Sequence, residues 1–180
     1  VLYIKTNNSR KILSEVASKL YQKKPKNLIA VTGTNGKSSI ADFYFQILKL
    51  NNKKVASIGT LGVKTHLNNL IINNTTLDPI SLNQHLEKIK KLNIDNVILE
   101  ASSHGLKQNR LNGMDFKTGI FTNLSRDHLD YHKSYKDYLK SKLMLFRNLL
   151  KKNSNVITDI DISQYKIIKN ITKKKQMKIF

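Results

Sequence analysis

The sequence contains no cysteine and no tryptophan, and only two prolines and seven glycines in 180 residues. The first absence excludes disulfides and thiolate metal centres. The scarcity of proline and glycine leaves few places where the backbone is forced or freed to turn, so each glycine is informative. Long apolar runs are also missing: none approaches the roughly 20 residues that cross a bilayer. The opening VLYIKTNNSRK lacks the hydrophobic stretch of a signal peptide. Cytoplasm is the expected compartment, with no membrane partner.

Acidic residues are the next shortage. Twelve Asp and Glu face 32 Lys and Arg, a formal charge of +20. Such an excess points to nucleic acid, phosphorylated small molecules or an acidic membrane. A nucleic-acid-binding module is the reading it favours at first sight. Arginine, the preferred reader of bases and phosphates, stands only at Arg10, Arg110, Arg126 and Arg147. The remaining cations are lysines in a chain also rich in asparagine and isoleucine. The charge therefore reads as compositional bias with a contribution from anionic small molecules, and no nucleic-acid partner is expected.

What is present is an alternation of short apolar runs and helix-period segments. LIAVT (Leu28 to Thr32) is a strand stopped by Gly33. Ile40, Phe43, Tyr44, Ile47 and Leu48 recur as one face of a helix. KVASIG (Lys54 to Gly59) is a second strand. Leu82, Leu86, Ile89 and Leu92 stripe a helix that starts after Asp78-Pro79, with Ser81 as its N-cap. NVILEA (Asn96 to Ala101), TGIFTN (Thr118 to Asn123) and NVIT (Asn155 to Thr158) are further strands. Tyr135, Tyr138, Leu139, Leu145, Phe146 and Leu149 mark a long helix. A helix is expected over about Ser9 to Tyr21, followed by the linker-like QKKPKN. The lysine-rich segment from Tyr165 reads as a short helix plus a strand or as a frayed end. The pattern predicts an α/β fold: a mostly parallel sheet flanked by helices, of the P-loop mononucleotide-binding type.

In such sheets chemistry gathers beyond the carboxyl ends of the strands. The three most polar stretches, GTNGKSS, EASSHG and NLSRDHLDYH, all follow strands, so they should meet at one edge. GTNGKSS (Gly33 to Ser39) joins strand to helix, where backbone N–H groups can cradle phosphates. Lys37 can reach the β/γ-phosphates, and the Ser38 hydroxyl can ligate Mg²⁺. The pattern is G-x-x-G-K-S; the first glycine of the longer P-loop string would fall at Val31. Glu100 ends an apolar strand and reads either as a capped strand end or as a metal ligand. SRDHLDYH (Ser125 to His132) puts two aspartates and two histidines in eight residues. No cysteine or distant histidine pair supports zinc there. Asp127 reads as supporting either a metal ligand or the nucleotide, and Asp130 and His132 as shaping the entry to the next helix. Lys142 lies on an apolar helical face with Tyr138, Leu145, Phe146 and Leu149, where a snorkelling side chain is the ordinary reading.

Six strings then line up in order: VTGTNGKSS, IGTLG, NTTLDP, LEASSHGLKQNRL, FTNLSRDHLDYH and YLKSKLMLF. Together they resemble the central, ATP-binding domain of the Mur ligases, in the branch that adds the third amino acid of the peptidoglycan stem. The resemblance runs from about residue 29 to about 150. It departs at Ser38, where the family usually has threonine, and at Thr158-Asp159-Ile160-Asp161, where the family often has Asn-Ala-Asp-Asp. It implies residues 1–25 as the tail of a preceding domain plus linker, and 26–180 as the central ATP-binding domain. A C-terminal domain is expected to be lacking, so the chain alone is not expected to turn over.

The activity implied is ATP-dependent amide-bond formation through an acyl phosphate. The substrates would be UDP-N-acetylmuramoyl-L-alanyl-D-glutamate and an amino acid, with Mg²⁺ as metal and the chain as a monomer. Gly33, Thr34, Asn35, Gly36, Lys37, Ser38 and Ser39 would hold the ATP phosphates, supported by Asn123. Ser38 and Glu100 would ligate Mg²⁺ and His128 a second Mg²⁺. Lys142 aligns with a lysine carbamylated in the family. Asn74, Thr75, Thr76, Ser102, Gln108 and Arg110 would contact the muramoyl dipeptide; without the resemblance, Thr75 and Thr76 read as turn residues before Pro79. His104 is secondary, and His66 and His85 read as surface residues. A folylpolyglutamate synthetase-like ligase is the enzyme alternative.

Overall fold

A computed structural model describes residues 5–72, 74–128 and 130–180. In chain order the elements are α1 (Ser9–Leu20), β1 (Asn27–Thr32), α2 (Lys37–Leu50), β2 (Val55–Gly59), β3 (Gly62–Thr65), β4 (Asn69–Leu70), α3 (Pro79–Lys91) and β5 (Asn96–Glu100). There follow α4 (Ser103–Lys107), β6 (Phe116–Phe121), α5 (Tyr135–Met144), a π-helical turn (Leu145–Leu149), β7 (Asn155–Thr158), α6 (Tyr165–Lys174) and β8 (Lys178–Ile179). The strands form one sheet in the order β4-β3-β2-β5-β1-β6-β7-β8. From β2 to β8 all neighbours are parallel; β3 and β4 add an antiparallel edge. Among the described residues no helix is long and apolar enough to cross a membrane.

Both faces of the central strands are covered, which explains their unbroken apolar sequences. Leu28 and Ala30 of β1 join Val97 and Leu99 of β5 in the larger core. The alternate residues, Val31 and Ile98, meet Ala41 of α2 on the opposite face. Strand β1 lies between β5 and β6. The loops after these three central strands, which carry the three polar stretches, therefore emerge side by side at one sheet edge.

The helix ends explain how a chain with few glycines turns. Asn52, Asn93, Asn109 and Gln176 follow α2, α3, α4 and α6 in left-handed conformation, with φ between 53 and 57°. After α4, the Asn109 N–H reaches Leu106 O and the Arg110 N–H reaches Gly105 O at 2.9 Å. This is the Schellman pattern, with asparagine in the place glycine usually takes. It fixes the backbone of Arg110 directly beyond the helix.

Three sequence expectations are corrected. The N-cap of α3 is Asp78, whose carboxylate accepts the Ile80 and Ser81 N–H groups at 3.0 Å, with Pro79 in the first turn. Ser81 lies inside the helix. The long helix stops at Met144 and passes into the π turn, closed by the Leu150 N–H on Leu145 O at 3.0 Å. The wider turn lets Leu145, Phe146, Leu149 and Leu150 all face inward. Helix α2 buries Ala41 and Phe45, while Phe43 and Ile47 are 61% and 59% exposed. Apolar residues surround this helix, and the side bearing the small Ala41 can approach the sheet most closely. The tail is ordered as α6 and β8.

The orientation of α2 makes a measurable difference. Phe45→Ala should cost about 3 kcal/mol or more, and Phe43→Ala under about 1 kcal/mol, from denaturant midpoints. The reverse ranking would contradict the burial of the Ala41–Phe45 side.

Candidate active site

Strand β1 ends at Thr32 and α2 starts at Lys37. Gly36 is the N-cap, and no side chain caps the helix. Its first-turn N–H groups therefore remain available to an anion. The loop is shaped from β6. Asn123 accepts the Asn35 N–H on its side-chain oxygen at 2.9 Å and the Thr34 N–H on its carbonyl at 3.0 Å. The Thr122 hydroxyl donates to Asn35 O at 2.6 Å. A Cβ on Gly33 would stand 1.8 Å from that hydroxyl oxygen, so only glycine allows this approach.

Two lysines converge on one carbonyl. Lys37 Nζ donates to Gly33 O at 3.1 Å and to Thr34 O at 2.7 Å. Lys142 Nζ donates to the same Gly33 O at 2.6 Å and lies 4.4 Å from the Tyr138 ring centroid. Lys142 is 1% exposed, so it does not snorkel. Burial, reinforced by the charge of Lys37, pushes its ammonium down to about 7, against an opposing pull from Asp127. Lys37 is lowered by burial too, with Glu100 and Asp127 opposing. Tyr138 links back to the loop through its hydroxyl, 3.2 Å from Thr34 Oγ1.

Glu100 is 2% exposed at the end of β5. Its Oε1 accepts the Thr60 N–H at 2.8 Å. Its Oε2 accepts the Ser38 hydroxyl at 3.0 Å and the Thr60 hydroxyl at 3.3 Å. A Cβ on Gly59 would meet Oε1 at 2.1 Å, so the end of β2 needs glycine to admit this carboxylate. Ser38 and Glu100 are thus brought together as an all-oxygen pair beside the loop, the donor set a hard divalent cation prefers. His128 is not joined to them. It is exposed, left-handed at φ 52°, and 3.5 Å from Asp127. Its ring packs edge-on to His104 at 5.1 Å. Among the described residues no group of three or more His, Cys, Asp or Glu could hold a metal.

The six residues expected at a second substrate divide by environment. Thr76 is buried, and its hydroxyl links Glu100 O at 2.9 Å, the Ser102 N–H at 2.9 Å and Ser102 Oγ at 3.0 Å. Thr75 Oγ1 lies 3.0 Å from Thr60 Oγ1 and so borders the Glu100 site. Arg110 donates to Thr76 O at 2.6 Å and, from Nε and Nη2, to Gln108 Oε1 at 3.0 and 2.8 Å. Asn74, Gln108 and Arg110 line one cleft of about 240 Å³. His132 is buried, 3.0 Å from Ser103 Oγ and 3.5 Å from Asp137, and so fastens α4 to α5. Sequence reasoning missed Thr60 and Thr122. Both follow strand ends, so the carboxyl-edge rule could have found them.

Lys142 gives a pH prediction. Its folded value near 7 is below the ordinary 10.5, so between these values the unfolded chain binds more protons. In CO₂-free buffer, stability should therefore rise with pH across that window relative to Lys142→Met. The penalty of a buried ammonium is fully present below the folded value. Parallel stability curves for the two proteins would contradict the shift.

A family model described as the Mur ligase middle domain matches residues 31–180. The chain is 43% identical over 173 residues to the UDP-N-acetylmuramoyl-L-alanyl-D-glutamate–2,6-diaminopimelate ligase of Rickettsia bellii, covering 94% of this chain and 36% of that one. It is 40% identical over 161 residues to the ligase of that name in Bradyrhizobium diazoefficiens, covering 89% and 33%. A solved structure of a ligase of that name superposes with TM-score 0.84 at 34% identity, covering 94% and 35%. A bifunctional folylpolyglutamate synthase/dihydrofolate synthase from Yersinia pestis, solved with AMPPNP and Mn, shares the fold at TM-score 0.69 and 17% identity, covering 98% and 47%. The chain spans about a third of the length of the curated relatives. On the match over residues 31–180, this chain belongs to the Mur ligase middle-domain family.

Proposed function

We propose that this chain is the ATP-binding part of a ligase that adds 2,6-diaminopimelate to UDP-N-acetylmuramoyl-L-alanyl-D-glutamate in peptidoglycan synthesis. The observation that carries the reading is the convergence of Lys37, Lys142, Ser38 and Glu100 on the loop after β1. The choice of amino acid rests on the names of the relatives. Residues 26–180 form the ATP-binding domain in this reading, and residues 1–25 belong to the end of a preceding domain. Within that segment α1 is fastened by Ser18 Oγ donating to Gly113 O at 2.7 Å; Val1 to Ile4 lie outside the described residues. The reading places the chain in the cytoplasm, as a monomer.

The reaction asks for charge neutralisation and alignment rather than a protein nucleophile. The γ-phosphoryl group of ATP passes to the substrate carboxylate, ADP leaves, and the amine then displaces phosphate from the acyl phosphate. Gly33 to Ser39 offer backbone N–H groups and the Lys37 ammonium to the phosphates, while Asn123 holds the loop in shape. The oxygens of Ser38 and Glu100 fit Mg²⁺, which when bound would neutralise phosphate charge; His128 is assigned to a second ion. Asn74, Thr75, Thr76, Ser102, Gln108 and Arg110 face the muramoyl dipeptide. Lys142 is proposed to be carbamylated. Its neutral amine attacks CO₂, an N–C bond forms and a proton is released, turning a cation into an anion at the loop. The lowered pKa supplies the free amine.

The test is titration calorimetry with Mg·ATP. Lys37→Ala should weaken binding at least roughly ten-fold, the scale of a lost charge-assisted hydrogen bond. Equal affinity would remove the loop from the nucleotide site. Binding of UDP-N-acetylmuramoyl-L-alanyl-D-glutamate, with none of dihydropteroate, should separate this reading from the folylpolyglutamate synthetase-like one.

A further inference from the structure

The cleft lined by Asn74, Gln108 and Arg110 has a second wall. Arg10 and Leu13, from the first turns of α1, face the same space of about 240 Å³. The carbonyl of Arg10 accepts the Ser14 hydroxyl at 3.0 Å, but its guanidinium has no hydrogen-bonding partner among the described residues. Arg110 spends three of its five N–H groups on Gln108 and Thr76 and keeps two. Two permanently charged forks thus share one cleft. The acidic residue lining it, Asp78, is committed to the start of α3, where its Oδ1 takes two backbone N–H groups. The carboxamides of Asn74 and Gln108 complete a wall of polar groups.

The cleft is also tied to the Glu100 site by hydrogen bonds. Arg110 holds Thr76 O, and the Thr76 hydroxyl holds Glu100 O. Thr75 borders the Glu100 site and the preceding Asn74 lines the cleft, so one short run of chain joins the two places. Planar guanidinium forks match carboxylate or phosphate oxygens two at a time.

We propose that Arg10 is a substrate-binding residue, pairing with Arg110 to clamp an anionic group, carboxylate or phosphate, away from the reacting carboxylate. This rests on the muramoyl-dipeptide reading above and adds to it a residue from α1. It gives α1 a part in recognition, and it uses one of only four arginines in a lysine-dominated chain.

The test is calorimetry of wild type and Arg10→Ala with three ligands. These are UDP-N-acetylmuramoyl-L-alanyl-D-glutamate, its analogue amidated at the glutamate α-carboxylate, and the muramoyl dipeptide lacking the UDP group. Arg10→Ala should weaken the first ligand roughly ten-fold, with Mg·ATP affinity and thermal midpoint unchanged. Arg10→Lys should recover part of the loss, keeping charge without the fork. If the loss vanishes with the amidated ligand, the clamped group is the carboxylate; if it vanishes without UDP, it is a phosphate. Both support the clamp. Equal binding of the first ligand by wild type and Arg10→Ala overturns it, as does a loss that is the same for all three ligands. Wild type that binds Mg·ATP but none of the three overturns the muramoyl reading, and the clamp falls with it.

Discussion

The site is organised around the carbonyl oxygen of Gly33, which accepts hydrogen bonds from two partly or fully buried lysines. Two like charges on one dipole are a poor arrangement in a low-dielectric setting. The surrounding structure is needed to impose it. Strand β6 fixes the loop through Thr122 and Asn123. Helix α5 brings Lys142 to the loop with the Tyr138 ring beside it, and the π turn seats four apolar residues beneath. The Lys175 ammonium then caps the carbonyls that the turn leaves open, donating to Arg147 O at 2.9 Å and also to Leu150 O. The result is a loop that gathers two lysine side chains on one carbonyl. An anion arriving there would relieve the arrangement.

Glu100 supplies the opposing charge a short distance away. It is buried but fully hydrogen-bonded, which is the condition for keeping a carboxylate in the interior. The same bonds hold it against Ser38, the residue following Lys37. Glu100 at the end of β5 thus stands beside the lysine-bearing loop that follows β1, and the two strands are hydrogen-bonded neighbours. Parallel pairing is what puts both strand ends at one edge, so the sheet itself sets the spacing of the charges.

Much of this was legible in the sequence. Strands, their order of motifs and the carboxyl-edge rule brought Gly33–Ser39, Glu100 and Ser102 to one place before any coordinates. Lys142 on an apolar face was visible as an anomaly, though only the fold shows that it is buried rather than snorkelling. Other features depend on contacts that no local pattern encodes. Of the face expected on α2, Ile40 and Tyr44 do pack on the core while Phe43 and Ile47 are exposed; apolar residues occur all around the helix, so periodicity could not choose between Phe43 and Phe45. Thr60 and Thr122 are common residues whose role comes from what lies across the sheet edge. His128, expected at a second metal ion apart from Glu100, stands by Asp127 and His104 in a left-handed turn that the sequence did not announce. Spacing along a loop does not specify the direction of a side chain.

Burial at the Gly33 carbonyl pushes the Lys142 ammonium down to about 7, poised to lose its charge. The direct measurement is NMR of the lysine side chains, first in CO₂-free buffer and then with ¹³C-bicarbonate, with Lys142→Arg as the assignment control. One lysine titrating near 7 and one carbamate carbon signal are expected, both absent in the variant. A Lys142 that keeps its proton into the range of ordinary lysines, with no carbamate signal, would contradict it.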